Sequence, residues 1–82
     1  MHHHHKIVKG SITIGSGFYE TEVILDPSIV IKKVYASIEA EGPPVCVGNV
    51  DMVGIVKKDD HSFILYTDIK SNMATVYWLV EY

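Results

Sequence analysis

The residues able to do chemistry are few, and their spacing decides most of what they can do. Outside the run at residues 2–5, His61 is the one histidine, so a Ser/His/Asp triad or a histidine-based metal site has only that ring to rest on. It stands in Lys57-Lys58-Asp59-Asp60-His61-Ser62, a polar stretch between two apolar segments that reads as a hairpin loop. Asp59, Asp60 and His61 would make a weak surface metal site at best, and polar turn residues need no function to explain them. Cys46, between Val45 and Val47, reads as a small inert hydrophobe rather than a nucleophile. Gly15-Ser16-Gly17 is too short for a phosphate loop and lacks the helix and lysine that would follow one. The carboxylate pairs Glu20 with Glu22 and Glu39 with Glu41 have i, i+2 spacing, which on a strand places both groups on the solvated face. The expectation is therefore a chain that is not an enzyme, with no catalytic residue, no cofactor and no metal.

What remains is aromatic. Tyr19, Tyr35, Tyr66, Tyr77, Tyr82 and Trp78 offer amphipathic platforms of the kind saccharide sites use for stacking, although such residues most often fill cores and interfaces.

Positioning any of these residues falls to a small scaffold. The chain has 82 residues, of which Met1 and His2 to His5 read as an initiator and a short purification tag, leaving residues 6–82 as one domain. A chain of this size buries only about 60% of its unfolded surface and commonly needs a disulfide, a metal or a partner subunit. One cysteine excludes an intrachain disulfide, and no His/Cys cluster could hold a structural metal. Oligomerisation is the favoured support.

Net charge is −3 with a pI near 5.9, and all 7 cationic residues are lysines without a basic stripe. Backbone neutralisation needs clustered Lys and Arg, so nucleic acid is not expected as a partner. No apolar run reaches the roughly 18 residues of a membrane-spanning helix, and membrane insertion is not expected. A lone unpaired cysteine favours synthesis in a reducing cytoplasm.

Turn-forming residues punctuate the chain at Gly10, Gly15-Ser16-Gly17, Asp26-Pro27-Ser28, Gly42-Pro43-Pro44, Gly48-Asn49, residues 57–61 and Lys70-Ser71-Asn72. The intervening segments are rich in Val, Ile, Thr and Tyr and predict six strands, at residues 11–14, 19–25, 34–40, 50–56, 62–68 and 73–81. Thr21, Val23 and Leu25 share one face against Glu20 and Glu22. Val34, Ala36, Ile38 and Ala40 point inward, and Tyr35, Ser37 and Glu39 outward. A helical reading of residues 26–42 competes, with Asp26-Pro27 as its start and Val30, Val34 and Ile38 at helical spacing. The β-branched content of residues 28–35 and the clean alternation after Val34 favour the strand.

Two segments carry apolar residues on both faces. Ala74, Val76, Trp78 and Val80 oppose Tyr77 and Leu79, and Phe63 and Leu65 oppose Ile64 and Tyr66. One core needs one apolar face. The surplus face, Ile64, Tyr66, Tyr77 and Leu79, therefore predicts a subunit interface, with a central strand covered on both sides as the alternative.

Taken in order, the segments Thr21-Glu22-Val23-Ile24-Leu25-Asp26-Pro27-Ser28 and Lys33-Val34-Tyr35-Ala36-Ser37-Ile38, then Ser62-Phe63-Ile64-Leu65-Tyr66-Thr67 and Val76-Tyr77-Trp78-Leu79-Val80-Glu81-Tyr82, resemble H-type lectin domains, the fold of the snail agglutinins. The likeness covers roughly residues 10–82 as a pattern of strands, the closing tryptophan strand being its most specific part. It implies an all-β fold, a six-stranded antiparallel β-sandwich assembling as a homotrimer. It also implies a place among virion surface proteins of bacteriophages (tail fibres, tips or head decorations), or an extracellular carbohydrate-binding role. The family's sugar site uses an arginine and a Trp-His pair. This chain has no arginine, and Asp68-Ile69 stands where the pair would be. At the equivalent place the candidate ligand-binding residues are Ser16, Tyr19, Asp68 and Lys70, with a cell-surface glycan or other virion proteins as partners.

Overall fold

The computed structural model describes residues 6–42 and 50–82. Among them are four strands and no helix: β1 (Ile7–Ile24), β2 (Lys33–Ala40), β3 (Met52–Asp59) and β4 (Ser62–Glu81). All pairings are antiparallel and centre on β4. Its one edge carries β1, while its other edge carries β3 along the first half and β2 along the second.

All six predicted segments are extended, but they make four strands rather than six. Residues 11–14 and 19–24 are joined in β1, which stops one residue short of the predicted end, and residues 62–68 and 73–81 are joined in β4. The two supposed turns between them are one irregularity in the ladder. Gly15 pairs with Met73 and Gly17 with Ile69, so Ser16 alone stands opposite Lys70-Ser71-Asn72. The extra residues reverse the pleat. Inward positions of β4 are odd before the corner (Phe63, Leu65, Thr67, Ile69) and even after it (Ala74, Val76, Trp78, Val80). Gly17 takes φ +136° at this point, a backbone conformation open to glycine and strained for other residues.

The corner folds the sheet over on itself. Phe63 and Trp78 lie on one strand, 15 residues apart, which in a straight strand would separate them by about 50 Å. Their ring centroids are 5.5 Å apart and the rings meet edge to face. We call the two parts the β3 half (residues 17–24, β3 and residues 62–69) and the β2 half (residues 7–15, β2 and residues 73–81). Between them lies one core of Phe63, Leu65, Val76 and Val80, with Leu25 and Ile31 from the connection between β1 and β2. The arrangement is all-β and consistent with a β-sandwich made by folding one sheet.

That connection contains the turn at Asp26-Pro27-Ser28, where the Ile29 amide donates to Asp26 O and the Ser28 amide to Asp26 Oδ1. It is not the start of a helix. Ile31 is buried, and its amide donates to Asp60 O while that of Lys32 donates to Glu81 O, stitching the two halves together. Asp60 and His61 form the tight turn between β3 and β4, shorter than the loop expected over residues 57–61.

Gly10 explains the seat of Trp78. It lies directly across the ladder from the indole, and a methyl group there would meet Trp78 Cζ2 at 2.4 Å. No helix of the described chain is long and apolar enough to cross a membrane.

Candidate functional site

The fold leaves two outer faces, one per half, directed away from each other because the core lies between them. Each is a grid of cross-strand rows set by the register.

On the β3 half the rows are Phe18–Asp68–Met52, Glu20–Tyr66–Gly54 and Glu22–Ile64–Val56. Phe18 is 74% exposed and Met52 61%, and Val56 is also exposed. Gly54 has open space where a side chain would stand, so the flank of Tyr66 is bare. The polar relief is Glu20 and two ion pairs, Lys58 Nζ to Glu22 Oε2 at 2.6 Å and Lys70 Nζ to Asp68 Oδ1 at 3.3 Å. Glu22 raises the Lys58 pKa, mainly through that hydrogen bond. Phe18, Met52, Val56, Ile64 and Tyr66 thus form a mostly apolar outward patch on a strand pair that ends in the open edge of β3.

On the β2 half the rows are Lys9–Leu79–Tyr35, Ser11–Tyr77–Ser37 and Thr13–Thr75–Glu39. Hydroxyls dominate. Thr13 and Thr75 share a hydrogen bond of 3.1 Å, and the Tyr77 hydroxyl donates to Glu39 Oε1 at 3.2 Å. The negative charge of Glu39, then this hydrogen bond, raises the Tyr77 pKa above the ordinary phenol value. Tyr35 is raised likewise, first by a hydrogen bond to the Glu81 carboxylate. On its other side Lys33 Nζ lies 5.7 Å from the Tyr35 ring centroid. Between the tyrosines opens a recess of about 590 Å³, lined by three residues from each strand around Ser11, Ser37, Tyr77 and Leu79.

The predicted interface residues divide between these faces: Ile64 and Tyr66 on the β3 half, Tyr77 and Leu79 on the β2 half. A single flat contact cannot cover all of them.

The predicted ligand residues all lie near the corner but form two separate pairs, because Tyr19 pairs with buried Thr67 on the inner face while Asp68 faces outward beside Phe18. Tyr19 OH donates to Ser16 O at 3.1 Å, and Lys70 Nζ lies 3.3 Å from Asp68 Oδ1. Much of their polar capacity is spent on one another. Asp51, which no local sequence signal singles out, organises the same corner. Its Oδ1 accepts the amides of Lys70 at 2.7 Å and Ser71 at 3.0 Å, and its Oδ2 accepts the Ser71 hydroxyl at 2.6 Å. The Ser71 hydroxyl, assisted by those amides, holds the Asp51 carboxyl below the usual carboxylate range.

His61 serves the fold. Its Nδ1–H donates to Ile29 O at 2.7 Å and its amide to Asp59 Oδ1, pinning the turn against the β1–β2 connection. That amide, then Ser62, lowers the Asp59 pKa. Among the described residues no group of three His, Cys, Asp or Glu side chains is placed to hold a metal ion. Cys46 lies outside the described residues. Glu20 and Glu22 face outward on one half and Glu39 on the other, as the alternation of β1 and β2 requires.

A scan against protein-family models, a search of curated proteins and a search of solved structures each return no match.

Proposed function

We propose that this chain is a non-enzymatic surface module that assembles as a homotrimer and serves attachment or decoration of a virion. The observation that carries the reading is the outer face of the β3 half, where exposed Phe18, Met52 and Val56 surround half-buried Ile64 and Tyr66, with Glu20, Glu22 and Asp68 set among them. A contiguous patch of this kind on so small a domain marks a protein contact more often than a bare surface. The trimer and the phage setting, at a virion surface or outside the cell, draw on the resemblance of the segment order to H-type lectin domains and on that family's six-stranded sandwich.

Light scattering after size exclusion tests the assembly. The expected mass is three times the 9.2 kDa chain, and Phe18→Glu combined with Met52→Glu is expected to give monomers with unchanged circular dichroism. A monomer of the unmodified chain at high concentration overturns the reading.

A second reading, a carbohydrate-binding domain, is favoured by one observation: two half-exposed tyrosines stand with Ser11 and Ser37 on the outer face of the β2 half.

A further inference from the structure

We propose that the recess between Tyr35 and Tyr77 binds an uncharged oligosaccharide, a site separate from the corner formed by Ser16, Tyr19, Asp68 and Lys70. The proposal rests on the carbohydrate-binding reading and is independent of the trimer.

Tyr35 sits across from Leu79, and Tyr77 from Ser37, so the tyrosines are diagonal neighbours with the Leu79 and Ser37 side chains between them. Both rings are nearly half exposed, Tyr35 at 46% and Tyr77 at 44%. The Tyr77 phenol is tied at its far end to the Glu39 carboxylate, and Lys33 Nζ lies 5.7 Å from the Tyr35 ring centroid. Holding a ring before any ligand arrives reduces the entropic cost of binding.

The recess combines two kinds of surface. Ring faces and the Leu79 side chain suit the C–H faces of a pyranose. Ser11 and Ser37 line it, hydroxyls that both donate and accept, and Glu39 and Glu81, which only accept, lie in the next cross-strand row at either end. A sugar presents many hydroxyl donors to such acceptors. A proline-rich peptide also docks in aromatic grooves, but it brings few donors.

Charge selects the class further. Lys9 and Lys33 balance Glu39 and Glu81 around the recess, so no net field draws a charged ligand. The volume of about 590 Å³ falls within the range of small-molecule sites and exceeds the needs of a single ion. Gly10 and Ala36 flank Trp78 on the inner side of the same rows, and the indole there supports the floor from beneath.

The test is a nuclear magnetic resonance titration of the whole chain with chitotriose, maltotriose and N-acetyllactosamine, and separately with a decaproline peptide. At least one sugar is expected to shift the amides of Ser11, Tyr35, Ser37, Tyr77 and Leu79, saturating in the millimolar range or below. Tyr77→Ala and Tyr35→Ala should each weaken binding at least tenfold. Ser37→Arg fills the recess from an exposed position while leaving both tyrosines in the chain, and it should abolish binding in a chain whose circular dichroism is unchanged. Tyr19→Ala and Asp68→Asn should leave binding intact. No response to any sugar overturns both this site and the carbohydrate reading. Binding that survives Ser37→Arg but fails in Tyr19→Ala or Asp68→Asn overturns this site and leaves that reading standing. A response to decaproline alone overturns the ligand class.

Discussion

The outer faces of the two halves are built on the same plan of three antiparallel strands with β1 and β4 shared, yet they present opposite chemistry. The β3 half shows Phe18, Met52, Val56, Ile64 and Tyr66 with a bare glycine among them. The β2 half shows lysine, serine, threonine and glutamate around two anchored tyrosines. The inner faces cannot differ in this way, because they pack on each other across one core and must both be apolar. The outer faces are released from that constraint, so their difference reports what each one meets. A face of exposed apolar side chains edged by carboxylates suits another protein surface. A hydroxylated face with a recess suits a small polar ligand.

That contrast presupposes that the halves fold as one unit, and the largest expected effect tests this. Phe63 is fully buried and touches the Trp78 ring from the other half. Phe63→Ala should cost about 3–5 kcal/mol, seen as a lower urea midpoint with a single transition by both fluorescence and circular dichroism. Two separate transitions would mean that the halves are independent and that the faces belong to different units.

Gly10→Ala sharpens the contrast from one side. The added methyl collides with the indole, so the β2 half must shift while the β3 half keeps its packing. A loss of about 1–3 kcal/mol is expected, together with a changed Trp78 emission maximum. An unchanged spectrum would mean the indole has another seat.

Much of this was legible from residue alternation. The six predicted segments fall largely within the four strands, and Val34, Ala36 and Ile38 of β2 and the inward residues of both parts of β4 lie where period-2 reading puts them, while Ala40 at the end of β2 is exposed. The change from odd to even inward positions in β4 was visible in Phe63 and Leu65 against Val76 and Val80. A turn and a bulge produce the same change of parity, so pattern alone could not choose between them. Alternation also separates inside from outside without giving the direction of the outside. Ile64 and Tyr77 are outward by the same rule and point opposite ways only because the sheet folds over. Asp51 was out of reach, since its partners Lys70 and Ser71 are some twenty positions away and no local spacing connects them. The tyrosine recess was half legible: Tyr35 and Tyr77 read as outward platforms, and only the register of β2 on β4 brings them together.

The corner that separates the faces is open to a smaller test. Asp51→Ala removes three hydrogen bonds from the Lys70-Ser71 turn, and at this half-exposed position should cost about 1–2 kcal/mol by urea denaturation. Asp51 has a folded pKa below its unfolded value, so its contribution is present in full above about pH 4 and is lost as pH falls through the folded value. Asp26 and Asp59 are lowered by their own turn amides and add to the same acid loss. Asp51→Asn should flatten that part of the stability profile, and a profile as steep as that of the unmodified chain would remove Asp51 from the account.

The smallest effect bears on the β2 face alone. Both of its tyrosines donate or lean toward carboxylates, Tyr77 to Glu39 and Tyr35 to Glu81, and both folded pKa values are raised. A raised folded pKa means that the stabilisation is present below the ordinary phenol value near pH 10 and is lost as pH rises through the folded one. Absorbance titration of phenolate is therefore expected to show two late-ionising groups among the 5 tyrosines. Tyr35→Phe and Tyr77→Phe should each delete one of them. Glu39→Gln should bring Tyr77 back toward the ordinary value, because its largest cause is the Glu39 charge, while leaving Tyr35 late. If Glu39→Gln moves neither group, the phenol is not held by that carboxylate. The ring would then turn freely, and the β2 face would lose the preorganisation that sets it apart from the apolar face on the other half.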